Sequence, residues 1–141
     1  MVEQTISHYR IREKLGAGGT GVVHKALDAK LERSVALKFL PAGFAASEED
    51  RRNLLREART AYAVDHSNIG VVHGLEESED GQLFIGMQYY DGETLAQKIS
   101  RGVIAARESL DLAIQIARGL SAAHARNIVH RIVLALADAL C

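Results

Sequence analysis

The chain has 141 residues, 48% hydrophobic and 25% charged, with a formal net charge of −1. That size suits one domain or part of one, and that composition a packed globular chain rather than a disordered one. It excludes the electrostatic grounds for a nucleic-acid or anionic-membrane partner. The only cysteine is Cys141, so no internal disulfide forms, which suits a reducing, cytoplasmic setting. The opening "MVEQTISHYR" lacks the apolar centre of a signal peptide, and no apolar run approaches the roughly 20 residues that cross a bilayer.

In chain order, Tyr9, Ile11 and Leu15 fall on odd positions among charged residues, the alternation of a half-buried strand. "GVVHKAL" after the glycines and "SVALKFL" before Pro41 are two more strands, joined by the polar turn "DAKLER". A helix is expected next, with Ser47 as N-cap, Asp50 in the capping-box position, and Glu48, Glu49 and Asp50 on the positive end of the helix dipole. "IGVVHGLEE" and "LFIGMQYY" complete five strands, linked by the hairpin signal "SEDGQ". The second half turns helical. "DGETLAQKIS" starts a short helix, for which Glu93 is the preferred cap over a contact with a ribose hydroxyl. "ARESLDLAIQIARGLSAAHAR" is a long helix whose Leu110, Ala113, Ile114, Ile116, Ala117, Leu120 and His124 share a broad apolar face. A face that wide demands cover on more than one flank, and few residues follow it. No repeat, low-complexity tract or linker interrupts the chain.

Gly16, Gly18 and Gly21 stand in the order G-x-G-x-x-G within "LGAGGTGVV". Alone, this pattern is equally a flexible hairpin turn. It is also the phosphate-binding turn of a dinucleotide fold, where a helix follows the glycines, or a flap over nucleotide phosphates, where a strand follows them. Two valines after Gly21 favour the strand. Lys38 lies within an apolar strand between Leu37 and Phe39, where an ammonium must reach water or meet a fixed anion. Glu57 sits at the edge of the helical stripe Leu54, Ala58, Ala61 and Tyr62. A carboxylate there wants a cation, and Lys38 is a suitable one. Each residue also has a plain reading as a solvated side chain. The six histidines, His8, His24, His66, His73, His124 and His130, are scattered, with none at metal-ligand spacing from cysteine or aspartate.

Together these motifs resemble the protein kinase superfamily, in particular bacterial serine/threonine kinases of the eukaryotic-like type, over residues 9–131. The resemblance implies an α+β fold: an N-lobe (9–90) of five antiparallel strands and one regulatory helix, then the first helices of an incomplete C-lobe (91–131), with 132–141 an unrelated tail. "LGAGGTGVV" is similar to the glycine-rich loop, so Gly16, Ala17, Gly18, Gly19, Thr20 and Gly21 would cover ATP phosphates. Leu15, Val23 and Ala36 would roof the adenine, Met87 would stand at its back, and the backbones of Gln88 and Tyr90 would meet its edge. Lys38 would bind the α- and β-phosphates and pair with Glu57. The dinucleotide reading explains only the glycines.

The resemblance stops at Arg131. The family continues H-R-D-x-x-x-x-N, the Asp accepting the hydroxyl proton and the Asn helping to hold Mg²⁺. Here Ile132 takes the Asp position and Ala137 the Asn position, Leu134 replaces a common lysine, and no D-F-G follows. Asp138 is one place beyond the Asn and is not expected to replace it. The expectation is therefore an ATP-binding kinase domain with protein Ser/Thr as family substrate, catalytically incompetent as this chain, lacking metal ligands, and self-associating through the exposed helix 108–126. Two alternatives stay open: a non-catalytic nucleotide- or partner-binding pseudokinase module, and a frameshifted gene remnant, the latter suggested by the abrupt change at Ile132.

Overall fold

The computed structural model describes residues 4–18 and 21–128, leaving aside the side chains of Glu57, Thr60 and Ala61. Its elements are β1 (Thr5–Ile6), β2 (Tyr9–Gly18), β3 (Gly21–Asp28), β4 (Arg33–Phe39), α1 (Glu48–Tyr62), β5 (Val72–Glu77), β6 (Leu83–Gln88), α2 (Leu95–Ser100) and α3 (Ala106–Ala125). All five expected strands are present. A sixth, the two-residue β1, precedes them; its shortness explains why no alternation announced it. The sheet is antiparallel in the order β1-β2-β3-β4-β6-β5.

The chain divides into two compact units. One holds the sheet and α1, from the N-terminus to Tyr62 and from Val71 to Tyr89. The other holds Ala63–Gly70 and the described residues from Tyr90 to Ile128.

In the sheet unit, the cross-strand register sorts the side chains onto two faces, because residues directly opposite share a face and neighbours along a strand alternate. Val22 opposes Phe39, which opposes Phe84. His24 opposes Leu37, which opposes Gly86. Along this outer face Tyr9, Ala26, Val35, Leu37, Phe39 and Phe84 form one core cluster, with Ile6 and Ile11 packed against it. Tyr9, opposite Asp28 and two residues before Ile11, belongs to the same face. Its ring meets Phe84 edge-on and its hydroxyl donates to Glu76 at 2.7 Å. Gly86 lies beneath that hydroxyl, where an added Cβ would sit 3.6 Å from it. The alternation that placed Leu15 with Tyr9 and Ile11 fails, because irregularities between Ile11 and Glu13 and between Lys14 and Gly16 shift the register. Leu15 is 43% exposed.

Helix α1 starts as the sequence indicates. The Asp50 amide donates to Ser47 Oγ at 3.0 Å and the Ser47 hydroxyl donates to Asp50 Oδ2 at 2.8 Å. The helix packs against β5 and buries Leu54 and Ala58.

In the helical unit, α2 is capped by Thr94, not by Glu93. Thr94 Oγ1 accepts from the Gln97 amide at 3.1 Å, and Gln97 Oε1 accepts from the Thr94 amide at 2.8 Å. Glu93 instead pairs with Arg101 at 2.6 Å. The preference for Glu93 overlooked the threonine beside it, which can complete a reciprocal box with a glutamine three residues on. α3 ends in a left-handed Asn127, φ 54°. The Ile128 amide donates to the Ala123 carbonyl at 3.1 Å and the Asn127 amide to the His124 carbonyl at 3.0 Å. That is a Schellman closure, with Ile128 buried as its apolar partner.

Candidate nucleotide-binding face

The second face of the sheet collects the residues singled out from the sequence. One row across the strands runs Gly16, Val23, Lys38, Ile85, Leu75; the next runs Glu13, Lys25, Ala36, Met87, Val72. Val23, Ala36, Lys38 and Met87 thus share one face, two apart along their strands and opposite across them. Ala36 and Met87 are buried, at 7% and 4% exposure. A small alanine beside a methionine leaves a shallow apolar surface, the shape a flat ring requires.

The glycine hairpin closes with Gly18 opposite Gly21. Gly19 and Thr20, at its tip, lie outside the described residues. A Cβ at Gly16 or at Gly18 would meet nothing within 4 Å, so the backbone there is open to close approach. Gly21 differs. Its φ is +129°, and a Cβ would come within 2.0 Å of the Phe39 carbonyl oxygen. The motif thus holds glycines of two kinds: two that leave room and one that no other residue can replace.

Lys38 is 1% exposed. An ammonium buried so deeply demands a compensating anion. The partner expected from the sequence is Glu57, whose side chain lies outside the described residues. A second lysine on the same face escaped the sequence reading. Lys25 Nζ stands 4.3 Å from the centroid of the Tyr89 ring and 3.9 Å from Glu13 Oε1. The alternation Val23, Lys25 along β3 was the available signal, since both must face the same way.

At the end of β6 the Gln88 amide donates to the Val71 carbonyl at 2.9 Å. The Gln88 amide is thus already engaged. Tyr90 belongs to the helical unit and is 48% exposed. Ile132 and Ala137 lie outside the described residues. No group of three or more His, Cys, Asp or Glu side chains among the described residues could hold a metal ion.

Two titrating groups frame the β2–β3 hairpin. Asp28, 2% exposed, accepts from the amides of Lys30 at 3.0 Å and Leu31 at 3.1 Å, with His8 at 3.6 Å and Arg33 at 3.7 Å. Burial alone would raise its carboxyl. The two amides, with the His8 and Arg33 charges, outweigh burial and hold it below the usual range. On the outer face, burial and the Lys14 charge push the His24 imidazole down. Its Nδ1 is buried without a hydrogen-bond partner, and its ring stands edge-on to Phe39 at 5.6 Å.

Comparison with known proteins gives a consistent result. The protein kinase domain profile matches residues 9–133. A probable serine/threonine-protein kinase of Clostridium acetobutylicum is 40% identical over 127 residues, covering 89% of this chain and 19% of that protein. Serine/threonine-protein kinase PrkC of Bacillus subtilis is 38% identical over 124 residues, covering 87% and 19%. PknJ of Mycobacterium tuberculosis is 36% identical over 123 residues, covering 87% and 21%. The crystal structure of the Mycobacterium tuberculosis PknI kinase domain superimposes with a TM-score of 0.79 at 31% identity, covering 92% of this chain and 53% of that one. The chain spans about a fifth of the length of these curated relatives and about half of the solved kinase domain.

Proposed function

This chain belongs to the protein kinase domain family, and on that premise we propose that it binds ATP at the sheet face bearing Lys38 but does not transfer phosphate. The observation that carries the reading is the convergence of Val23, Ala36, Lys38 and Met87 on one face beside an open glycine backbone. ATP fits these residues. Leu15, Val23 and Ala36 contact the adenine from above, with Met87 behind it. The Gln88 carbonyl and the Tyr90 amide take the adenine edge. Lys38, paired with Glu57, holds the α- and β-phosphates, and amides between Gly16 and Gly21, through Ala17, Gly18, Gly19 and Thr20, take the remaining charge.

Mg²⁺, which the family uses, does not fit the residues this sequence supplies. Ile132 and Ala137 stand at the proton-accepting and metal-holding positions, and neither side chain carries an oxygen or nitrogen. Phosphoryl transfer depends on positioning and on charge stabilisation around the metal, so this 141-residue chain binds nucleotide without turning it over. The substrate class of the parent activity is protein serine or threonine, and the setting is cytoplasmic. Among the described residues no helix is long and apolar enough to cross a membrane. Self-association through α3 belongs to the same reading.

Incubating the pure chain with γ-labelled ATP and a generic protein substrate tests the proposal. No transfer above the level of Lys38→Ala is expected. Autophosphorylation that Lys38→Ala abolishes would overturn it.

A further inference from the structure

Lys38 marks one end of the nucleotide-binding face, and a second lysine marks the other. Across β3, β4 and β6 the row Val23, Lys38, Ile85 is followed by the row Lys25, Ala36, Met87. Leu27 and Ser34 begin the next row. Tyr89 continues it, because Val35 pairs with Gln88, the last residue of β6. Lys25 Nζ stands 4.3 Å from the centroid of the Tyr89 ring. These two residues are separated by β4, so their contact spans two strand spacings, about 10 Å. It can form because β4 presents only Ser34 and Ala36 along that path. Their small side chains leave a trough in which the lysine stem and the tyrosine ring meet. On its other side, Glu13 stands directly opposite Lys25 and brings Oε1 to 3.9 Å from the same ammonium. The Glu13 side chain is 63% exposed and that of Lys25 only 29%. An ion pair so open to water holds little, and the ring is the stronger anchor.

We propose that Lys25 is a positioning residue for the nucleobase: its hold on the Tyr89 ring makes a strap that fixes the end of β6 against the sheet face and sets the outer limit of the base slot. The inference rests on the ATP reading above and names the residue that orders the base end of that site. Val23, Ala36 and Met87 line the slot. Lys38 lies in the row before Ala36, and Tyr89 in the row after it. A nucleotide whose phosphates meet Lys38 therefore has its base on the side of the strap. Backbone contacts to the edge of a flat ring depend on a position held to a fraction of an ångström. With Tyr89 unheld, the residues beside it would have to be ordered by the ligand. A strap formed beforehand removes that ordering cost from binding. The Lys25 ammonium is engaged by Tyr89 on one side and Glu13 on the other, which leaves the triphosphate to Lys38. The two lysines thus divide the ligand between them, one acting on the base and one on the phosphates.

Titrating the intact chain with ATP and, separately, with adenosine, followed by ligand-observed NMR, distinguishes a hold on the base from a charge aimed at phosphate. Lys25→Met keeps an unbranched stem and removes the cation. It should weaken both ligands by the same factor, about threefold to fivefold, the worth of a partly exposed cation–π contact. Tyr89→Leu tests the same contact from its other side and should give the same loss. The double variant should lose no more than either single one, because each change alone breaks the strap. Lys25→Arg should restore both affinities, since a guanidinium also stacks on an aromatic face. Weaker ATP with adenosine unaffected would make Lys25 a phosphate contact and overturn the inference. So would unchanged affinities in Lys25→Met, additive losses in the double variant, or a wild-type chain that binds ATP but not adenosine. A wild-type chain that binds neither would overturn the ATP reading itself, and this inference with it.

Discussion

The sheet unit and the helical unit are stabilised in different ways. In the sheet unit Val35, Leu37 and Phe84 are fully removed from water, and the buried polar groups at Asp28 and Tyr9 have named partners. Burial of one such apolar side chain contributes about 2–3 kcal/mol. In the helical unit, Leu110, Ile114 and Ile116 are 61%, 40% and 44% exposed. What orders that unit is backbone closeness at Gly119, a capping box at Thr94 and a Schellman closure at Asn127, interactions worth about 1 kcal/mol each. The sheet is thus held by a buried core, while the helical unit is held by local closures and leaves its apolar stripe exposed.

Mutations break the comparison at unequal cost. The largest effect is expected at Gly21→Ala, where a Cβ collides with the Phe39 carbonyl in a conformation L residues rarely adopt. A loss of about 4 kcal/mol in denaturant stability is expected, combining backbone strain with overpacking. The same substitution at Gly18, open on all sides, should cost under about 1 kcal/mol. Next comes Leu37→Ala, a cavity in a fully buried site, at about 3 kcal/mol. Leu110→Ala, at a 61% exposed site, should change stability by no more than about 0.5 kcal/mol. Equal effects at Leu37 and Leu110 would erase the distinction between the units. Gly119→Ala should cost about 2 kcal/mol, and hydrogen exchange should place the loss in 63–70 and α3 rather than in the sheet.

The smallest effect is a pH dependence. Burial holds the His24 imidazole below its unfolded value of 6.5, so near that pH the unfolded chain binds the proton that the folded chain refuses. Its contribution is complete above pH 6.5 and is lost as pH falls below it toward the folded value. Asp28 acts lower down: its contribution is complete above its unfolded value of 3.8 and is lost as pH falls from there. His24→Phe, which keeps an edge contact with Phe39, should flatten the loss just below pH 6.5 and leave the loss below 3.8. His73, also depressed by burial, carries what remains in the upper window. An unchanged profile in His24→Phe would assign the effect elsewhere.

Much of this was legible from residue order. The strands declared themselves through β-branched runs and turn residues, and α1 through Ser47 and Asp50. The glycine loop and Lys38 were placed by spacing and by resemblance, and the register supplied why they belong together: Val23, Ala36, Lys38 and Met87 fall two apart on paired strands. The misses have physical causes. Bulges in β2 turned Leu15 off the alternation, an effect no periodicity records. Thr94 displaced Glu93 as the cap because reciprocal bonding with Gln97 needs both partners in place. Lys25 was overlooked because a lone lysine in a strand reads as solvent-facing until Tyr89 is found beneath it. The distinction among the glycines was invisible, since only the approach of Phe39 separates Gly21 from Gly18.

The proposal that the face bearing Lys38 holds ATP without help from a metal has a direct test. Calorimetric titration of the folded chain with ATP, with and without Mg²⁺, and repeated on Lys38→Met, tests it most directly. Weak binding is expected, which Mg²⁺ leaves unchanged and Lys38→Met removes while the chain stays folded. No binding to the folded chain, or tight binding that requires Mg²⁺, would contradict it.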